Sequence, residues 1–305
     1  MMVYVKLGLT VAFWGGAFVA GRHVSLHLGP GLIAFLRFAM ASILLLALTR
    51  WKEGRWPRLN RLQWGYILLL GATGIFAYNV LFFKGLSLVK AGRASLIIAT
   101  TPAFIALTSA LLLGERLGPV RVAGILLSLV GAAVVISRGR LGPEMFDGMG
   151  TGELLMFGCV FSWVAYSLMG KTVMRTLSPL VAVTYSVVAG AIALLVVACW
   201  EGLGSGVARA SLLDWLAIAY MAVFATVVGF VWFYEGVSQV GATRAGLFIN
   251  LVPIFAVVLA FFILGEPVTL SLGIGAMLVL AGVYLTNRVP SSQRGSTVPS
   301  SGRTE

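Results

Sequence analysis

Ten long apolar runs constrain this chain more than any other feature of its sequence. A helix that crosses a bilayer needs about 20 mostly apolar residues. Such runs lie at approximately 4–22, 30–48, 62–82, 93–113, 119–136, 151–170, 178–200, 212–234, 243–264 and 269–286. Because 59% of the residues are hydrophobic and only 10% are charged, the chain could not cover a water-facing surface. The sequence therefore predicts an all-α integral membrane protein with ten transmembrane helices.

Basic residues predict the orientation of these helices, because cytoplasmic loops carry an excess of Lys and Arg. Most of the 22 Lys and Arg residues fall on the side of the N-terminus, including a cluster from Arg50 to Arg61. The loop that contains Lys84 and Lys90 goes against this trend. Both termini are therefore predicted to be cytoplasmic. The net charge of +12 is assigned to these loops, and no nucleic-acid partner is expected.

The second half of the chain repeats the first. Trp14 aligns with Trp163 at an offset of 149 residues, and the offset becomes 151 after a two-residue insertion. Further matches are Pro30 with Pro179, Trp64 with Trp215, Arg93-Ala94-Ser95-Leu96 with Arg244-Ala245-Gly246-Leu247, Pro102 with Pro253, and Leu113-Gly114-Glu115 with Leu264-Gly265-Glu266. Apolar composition produces chance Leu and Ala matches, but it does not readily align Trp, Pro and Arg across a whole half.

Each repeat contains five helices. Because five is an odd number, the second repeat must enter the membrane from the opposite side. Inverted repeats place a transport site near the midplane, where two similar halves can rock about it. The predicted units are repeat 1 over residues 3–137, repeat 2 over residues 150–287, and a disordered cytoplasmic tail over residues 288–305, which is rich in Ser, Pro, Gly and Arg.

The paired motifs resemble those of the drug/metabolite transporter superfamily. Each half carries R-A-[SG]-L, a proline in its fourth helix and a closing L-G-E, and each is similar to an EamA-type domain. Within that superfamily the chain looks most like the YddG-type bacterial exporters of aromatic and other amino acids. The resemblance implies export through a central cavity lined by helices 1, 3, 4, 6, 8 and 9. It also implies that helices 5 and 10 pack together at the edge.

Polar and aromatic residues inside the predicted helices are the candidates for substrate binding, because a polar group is costly to bury in lipid. The predicted substrate-binding residues are Trp14, Phe18, Tyr78, Asn79, Thr100, Thr101, Trp163, Tyr166 and Asn250. Core packing is the alternative for the two tryptophans. An interhelical hydrogen bond is the alternative for the asparagines.

Pro102 and Pro253 are predicted to kink the fourth helix of each repeat and to take part in gating. A proline removes one backbone hydrogen bond, and the freed carbonyls beside Thr100, Thr101 and Asn250 could bind an amine. Alternatively, each proline only curves its helix, and the threonines bond back to the preceding turn.

Arg37 is the only charged residue well inside a predicted helix, about 10 Å from the start of helix 2. Two interpretations are open: its side chain snorkels to the outer surface, or it attracts the carboxylate of a substrate. Arg93 and Arg244 are expected to anchor loops or to form a matched pair at the two mouths. The helix dipole predicts that Glu115 and Glu266 each stabilise the start of the helix that follows.

No carboxylate or histidine lies deep within a predicted helix, so a carboxylate proton relay is not expected. The predicted function is a secondary transporter of the bacterial inner membrane. It would export amino acids, aromatic and other neutral ones, or similar small metabolites by alternating access. The alternative is an exporter of drugs or flat organic cations, which aromatic walls can bind through cation–π contacts. An intramembrane enzyme is not expected, because the helices offer no nucleophile with a base.

The expected partners are the lipid bilayer and a small-molecule substrate, and the chain is expected to be a monomer or a weak dimer. No cofactor is expected. His23 and His27 are the only histidines, so no His-rich metal site is predicted. Cys159 and Cys199 lie in apolar runs and are predicted to be free thiols.

Overall fold

The computed structural model describes residues 2–114, 117–139, 149–174 and 176–287. Ten of its helical segments are long and apolar enough to cross a membrane, and we call them spans 1 to 10. In chain order they are Met2–Ser25, Pro30–Glu53, Arg61–Leu86, Ala91–Leu112, Pro119–Ser137, Thr151–Gly170, Pro179–Trp200, Leu212–Val237, Arg244–Leu264 and Leu270–Asn287. The predicted all-α fold with ten transmembrane helices is confirmed. The predicted tail, residues 288–305, and Glu115 lie outside the described residues.

Successive spans cross in alternate directions, so the even-numbered spans begin at one face and the odd-numbered spans at the other. Span 4 begins at Ala91 on one face, which we call the Arg93 face. Span 9 begins on the opposite face, which we call the Arg244 face. Span 1 begins and span 10 ends at the Arg244 face, and the charge distribution predicts that this face is cytoplasmic.

Spans from the two repeats pack against each other. Span 1 packs against spans 8 and 9, and its counterpart in the second repeat, span 6, packs against spans 3 and 4. Spans 2 and 7 pack together, and so do spans 5 and 10, as the family resemblance implies. Each cluster of spans therefore mixes helices from both repeats.

Small residues allow spans 5 and 10 to approach closely. A Cβ atom added at Gly131 would lie 2.6 Å from the amide nitrogen of Val279 and 2.9 Å from the carbonyl oxygen of Gly275. A Cβ atom added at Gly282 would lie 2.6 Å from the carbonyl oxygen of Gly124. In lipid, where apolar side chains gain little from leaving the solvent, such backbone contact is a main source of helix association.

Spans 3 and 8 each contain a π-helical stretch at equivalent positions of the repeat. These stretches are Gly71–Ala77 and Met221–Val228. The indole nitrogen of Trp14 on span 1 donates to the carbonyl oxygen of Ala225 at 2.8 Å. The hydroxyl of Ser162 on span 6 donates to the carbonyl oxygen of Thr73, also at 2.8 Å. Side chains from the neighbouring spans thus bind carbonyls of both stretches, and π-helical turns are often found at functional sites.

Spans 4 and 9 are interrupted near Pro102 and Pro253, the prolines that were predicted to kink them. Span 4 consists of helices Ala91–Ile98 and Thr101–Leu113, and span 9 consists of helices Ala242–Ile249 and Val252–Leu264. In each span the second helix carries its proline in the first turn, where the missing N–H group has no intrahelical partner to lose.

Two glycines on span 10 provide a test of the packing between spans 5 and 10. We expect Gly282→Ala to lower the thermal unfolding midpoint of the purified protein, because the methyl group would meet the backbone of span 5. Overpacking of this kind typically costs about 1–3 kcal/mol. The control is Gly273→Ala, because a Cβ atom there has no neighbour within 4 Å. Equal shifts of the midpoint in both variants would contradict the proposed close contact.

Candidate substrate-binding site

Arg37 binds two other spans through its guanidinium group. Its Nε and Nη2 atoms donate to the hydroxyl of Thr226 on span 8, at 3.2 and 3.1 Å. Its Nη1 atom donates to Oδ1 of Asn79 on span 3, at 3.4 Å. The snorkelling interpretation is therefore wrong, because the guanidinium is held between the spans by polar groups.

The partners of Arg37 are themselves fixed by the irregular backbone of spans 3 and 8. The hydroxyl of Thr226 donates to the carbonyl oxygen of Met221 at 2.9 Å, and the amide of Asn79 donates to the carbonyl oxygen of Ile75 at 2.8 Å. Both acceptors belong to the π-helical stretches. The two π-helical stretches therefore orient the side chains that hold the guanidinium.

The guanidinium of Arg37 retains hydrogen-bonding capacity. An arginine side chain has five N–H donors, and three of them are used by Thr226 and Asn79. Arg37 forms no ion pair with any carboxylate in the described part of the chain. Its side chain is only partly buried, so part of its surface is accessible. A partly buried cation with no carboxylate partner among the described residues is a favourable position for an anionic group of a ligand.

Four of the predicted aromatic residues lie in one continuous cluster beside Asn79. The ring of Trp163 is 5.0 Å from that of Tyr166 and 5.2 Å from that of Tyr78. Phe82 links Tyr78, at 5.7 Å, to Phe18, at 5.2 Å. Because Tyr78 directly precedes Asn79, this cluster begins next to the residues that bind Arg37.

Trp14 lies apart from this cluster. Its ring packs against Phe230 and Phe233 of span 8, with centroids 6.0 and 5.4 Å away. Trp14 and Trp163 therefore occupy equivalent positions, each against the span that carries a π-helical stretch. Only Trp163 belongs to the cluster beside Asn79.

The polar residues near the helix breaks have different environments. Thr100 is fully buried, and its hydroxyl donates to the carbonyl oxygen of Ile97 at 2.7 Å. Thr101 bonds back to Ile98 in the same way. Both threonine hydroxyls thus donate to carbonyl oxygens of the preceding turn, which is the alternative interpretation given for the prolines. The side chain of Asn250 is half-buried and makes no hydrogen bond to the described residues.

The two faces of the protein differ in packing. The first half of span 4 packs against spans 1, 6 and 9, whereas the first half of span 9 contacts mainly spans 1, 8 and 10. Leu96 is 0% exposed, but its counterpart Leu247 is 38% exposed; Thr100 is 0% exposed, but its counterpart Leu251 is 38% exposed. The first half of span 4 is therefore packed more tightly than the first half of span 9. A cavity of about 870 Å³ lies at the Arg93 face, lined among others by Arg93, Glu153 and Glu266.

Charged side chains close the Arg93 face. The guanidinium of Arg93 pairs with the carboxylate of Glu153 on span 6 at 2.9 Å, and it also donates to the carbonyl oxygen of Ile136 on span 5. The carboxylate of Glu266 accepts hydrogen bonds from the amide nitrogens of Ala91 and Gly92, at 2.8 and 3.1 Å. The prediction that Glu266 stabilises the following helix is wrong, because it caps span 4 of the other repeat.

Sequence patterns did not identify several residues of this region. The π-helical stretches have no recognisable sequence signal, so Thr226 and Phe82 were not predicted to accompany Arg37 and Tyr78. A polar residue in an apolar run was the one available signal for Thr226. Glu153 lies in the first turn of span 6, where a structural role as a capping residue is the ordinary expectation.

The fold and the site together define a polytopic membrane carrier with inverted repeats. The model of the EamA-like transporter family matches residues 2–137 and 150–288. The chain belongs to this family, and it is a transporter and not an enzyme. The predicted EamA-type resemblance is confirmed, whereas the narrower likeness to YddG-type exporters stays a prediction.

Relatives of similar length support the family assignment. An uncharacterised transporter of Bacillus subtilis, YyaM, is 30% identical over 288 residues, which are 94% of each chain. A protein of Streptantibioticus cattleyicolor described as a probable terminal-alkyne amino-acid exporter is 32% identical over 283 residues, which are 92% of each chain. A crystal structure with 21% identity has the same fold, with a TM-score of 0.63 over 94% of this chain and 97% of the other.

Closure of the Arg93 face can be tested by labelling a buried cysteine. Ser95 is 2% exposed in the first half of span 4. In a Ser95→Cys, Cys199→Ser background, we expect Glu266→Gln to increase labelling by a membrane-impermeable thiol reagent added at the Arg93 face. A hydrogen bond to a charged group contributes about 1.5–3 kcal/mol, so the rate should rise about tenfold or more.

The matched control is Glu53→Gln, because Glu53 accepts a hydrogen bond from Ser178 on the Arg244 face. It should leave labelling at the Arg93 face unchanged. The same increase in both variants, or none in either, would show that Glu266 does not hold this face closed.

Proposed function

We propose that this protein is a secondary transporter of the bacterial inner membrane that exports amino acids, aromatic and other neutral ones, or similar small metabolites by alternating access. The observation that carries the proposal is the unpaired guanidinium of Arg37 beside an aromatic cluster. Arg37 would bind the substrate carboxylate, and Tyr78 and Trp163 would contact its side chain. Trp14, Phe18, Asn79, Tyr166 and Asn250 are the further proposed lining residues. Thr100 and Thr101 are not included, because their hydroxyls bond to the preceding turn.

The charge of the site distinguishes the two functions considered. An arginine binds a carboxylate through paired N–H groups in a planar arrangement. A flat organic cation would meet the positive charge of Arg37, and no carboxylate pairs with Arg37 in the described part of the chain. The structure therefore favours an amino acid or another carboxylate over a cationic drug.

The relative described as a probable terminal-alkyne amino-acid exporter supports the same substrate class. The repeat counterpart of Arg37 is Ser186, at the offset of 149 residues. The proposed carboxylate site is thus a feature of the first repeat alone. An asymmetric substrate would accordingly bind an otherwise symmetric scaffold in one orientation.

The packing of the two faces supports a direction of entry. With both termini in the cytoplasm, the loosely packed Arg244 face is the cytoplasmic one. The structure would then correspond to a state that receives substrate from the cytoplasm in an export cycle. Closing the first half of span 9 and releasing the first half of span 4, with Pro253 and Pro102 at the two breaks, would complete the alternation. Residues 3–137 and 150–287 are the two proposed repeat units.

The proposed transport needs no carboxylate proton relay. Among the described residues, the buried carboxylates Glu153 and Asp214 lie in the first turns of spans 6 and 8. Glu235, near the end of span 8, pairs with Lys6 at 2.8 Å. These carboxylates lie near the faces and not at the depth of Arg37, so the substrate gradient itself is the proposed driving force.

Substitution of Arg37 tests the carboxylate site. In proteoliposomes with equal pH on both sides, we expect Arg37→Gln to raise the KM for a labelled aromatic amino acid about tenfold to a hundredfold, the equivalent of about 1.5–3 kcal/mol for a hydrogen bond to a charged group. Uptake of the corresponding amino-acid amide, which lacks the carboxylate, should change little.

The control is Arg209→Gln, which removes an exposed positive charge and should not affect either KM. Equal losses for the amino acid and its amide would contradict carboxylate recognition by Arg37. A wild-type protein that transports none of a panel of labelled amino acids would instead favour the drug exporter.

A further inference from the structure

Both histidines of the chain lie beside one buried carboxylate at the Arg93 face. The Nε2 atom of His23 is 3.3 Å from Oδ1 of Asp214, and the Nδ1 atom of His27 is 3.4 Å from the same oxygen. The three atoms lie within 4.8 Å of one another. His23 belongs to the last turn of span 1, His27 to the turn that follows, and Asp214 to the first turn of span 8.

The two oxygens of Asp214 have different partners. Oδ2 accepts hydrogen bonds from the amide and the hydroxyl of Ser211, at 3.0 and 2.7 Å, and so caps the start of span 8. Oδ1 has no hydrogen-bond partner although Asp214 is only 3% exposed, and Nε2 of His23 is buried without a partner as well. Unsatisfied buried groups of this kind are costly and require an explanation. A bound cation would satisfy both atoms at once.

The distances match those of a coordinated transition metal. With metal–nitrogen and metal–oxygen bonds of about 2.0–2.1 Å, neighbouring ligands of a tetrahedral Zn²⁺ lie about 3.3 Å apart. Two of the three ligand separations already have this value. Only the two imidazole nitrogens need to approach each other, which a small rotation of the His27 side chain, 52% exposed, would allow.

The geometry points to a binding site for a divalent transition metal such as Zn²⁺, formed by His23, His27 and Asp214. Two imidazoles and one carboxylate favour Zn²⁺, Ni²⁺ or Cu²⁺ over Mg²⁺ and Ca²⁺, which prefer oxygen ligands. Three protein ligands leave a fourth position for water. Because the chain has only two histidines, no His-rich site was predicted from the sequence. His23 and His27, four residues apart, form the proposed site together with one carboxylate from another span, Asp214.

The site joins spans 1 and 8 at the Arg93 face. These spans pack as an antiparallel pair: Lys6 bonds to Glu235 near the opposite face, and the hydroxyl of Tyr220 donates to the carbonyl oxygen of Phe13 in the middle. A metal bound at His23 would connect spans 1 and 8 at the Arg93 face, the end at which these other contacts are absent. It should therefore also raise the thermal unfolding midpoint, because it binds the folded state.

Calorimetry of the full-length protein tests the site. Protein purified with a non-histidine affinity tag is titrated with ZnCl₂ in metal-free detergent buffer. We expect one Zn²⁺ ion to bind per chain, and His27→Gln and Asp214→Asn each to weaken binding at least about tenfold. The control is Cys199→Ser, which removes the exposed thiol and should leave the affinity unchanged.

Nuclear magnetic resonance provides a readout that needs no substitution, because the chain contains only the two histidines of this site. In protein labelled at histidine, the imidazole signals of His23 and His27 should both shift on addition of Zn²⁺ and not on addition of Mg²⁺. Unchanged signals at millimolar Zn²⁺ would overturn the proposal, and so would equally tight binding in His27→Gln.

Discussion

A lipid bilayer offers no hydrogen bonds to a peptide backbone, and this constraint acts wherever the spans depart from α-helical geometry. Side chains of neighbouring spans supply the missing partners in the π-helical stretches: Trp14 binds the carbonyl of Ala225, and Ser162 binds that of Thr73. At the break in span 4, the hydroxyl of Thr100 bonds back one turn. The irregular backbone of both π-helical stretches and of the break in span 4 is thus stabilised by protein groups.

The need for hydrogen-bond partners of backbone groups also explains how the two repeats contact each other. Carboxylates at the ends of spans in one repeat bind the starts of spans in the other. Glu266 caps span 4 at Ala91, Glu201 accepts from the first amides of span 2, and Glu53 accepts from the hydroxyl of Ser178 at the start of span 7. A carboxylate is favourable at a helix N-terminus because of the helix dipole. Glu266 acts at the Arg93 face, whereas the hydrogen bond between Ser178 and Glu53 lies at the Arg244 face.

Sequence patterns predicted the number of spans, their repeat and the family, because each of these depends on long-range periodicity in hydrophobicity and on residues such as Trp and Pro that rarely align by chance. They also identified Arg37, Tyr78 and Trp163 as unusual residues within apolar helices. They could not predict the partners of Arg37, because the π-helical turns that orient Thr226 arise from packing between spans. The Asp214 cluster was missed for a similar reason: its ligands come from spans that are distant in sequence.

In the proposed transport cycle, the guanidinium of Arg37 binds the carboxylate of an amino-acid substrate between spans 2, 3 and 8. A structure of the protein with a bound aromatic amino acid, determined by electron cryomicroscopy, tests it most directly. We expect the substrate carboxylate to lie within hydrogen-bonding distance of Arg37, with the substrate side chain against Tyr78 and Trp163. A substrate bound elsewhere, for example beside Arg93 with Arg37 still bonded only to Asn79 and Thr226, would contradict it.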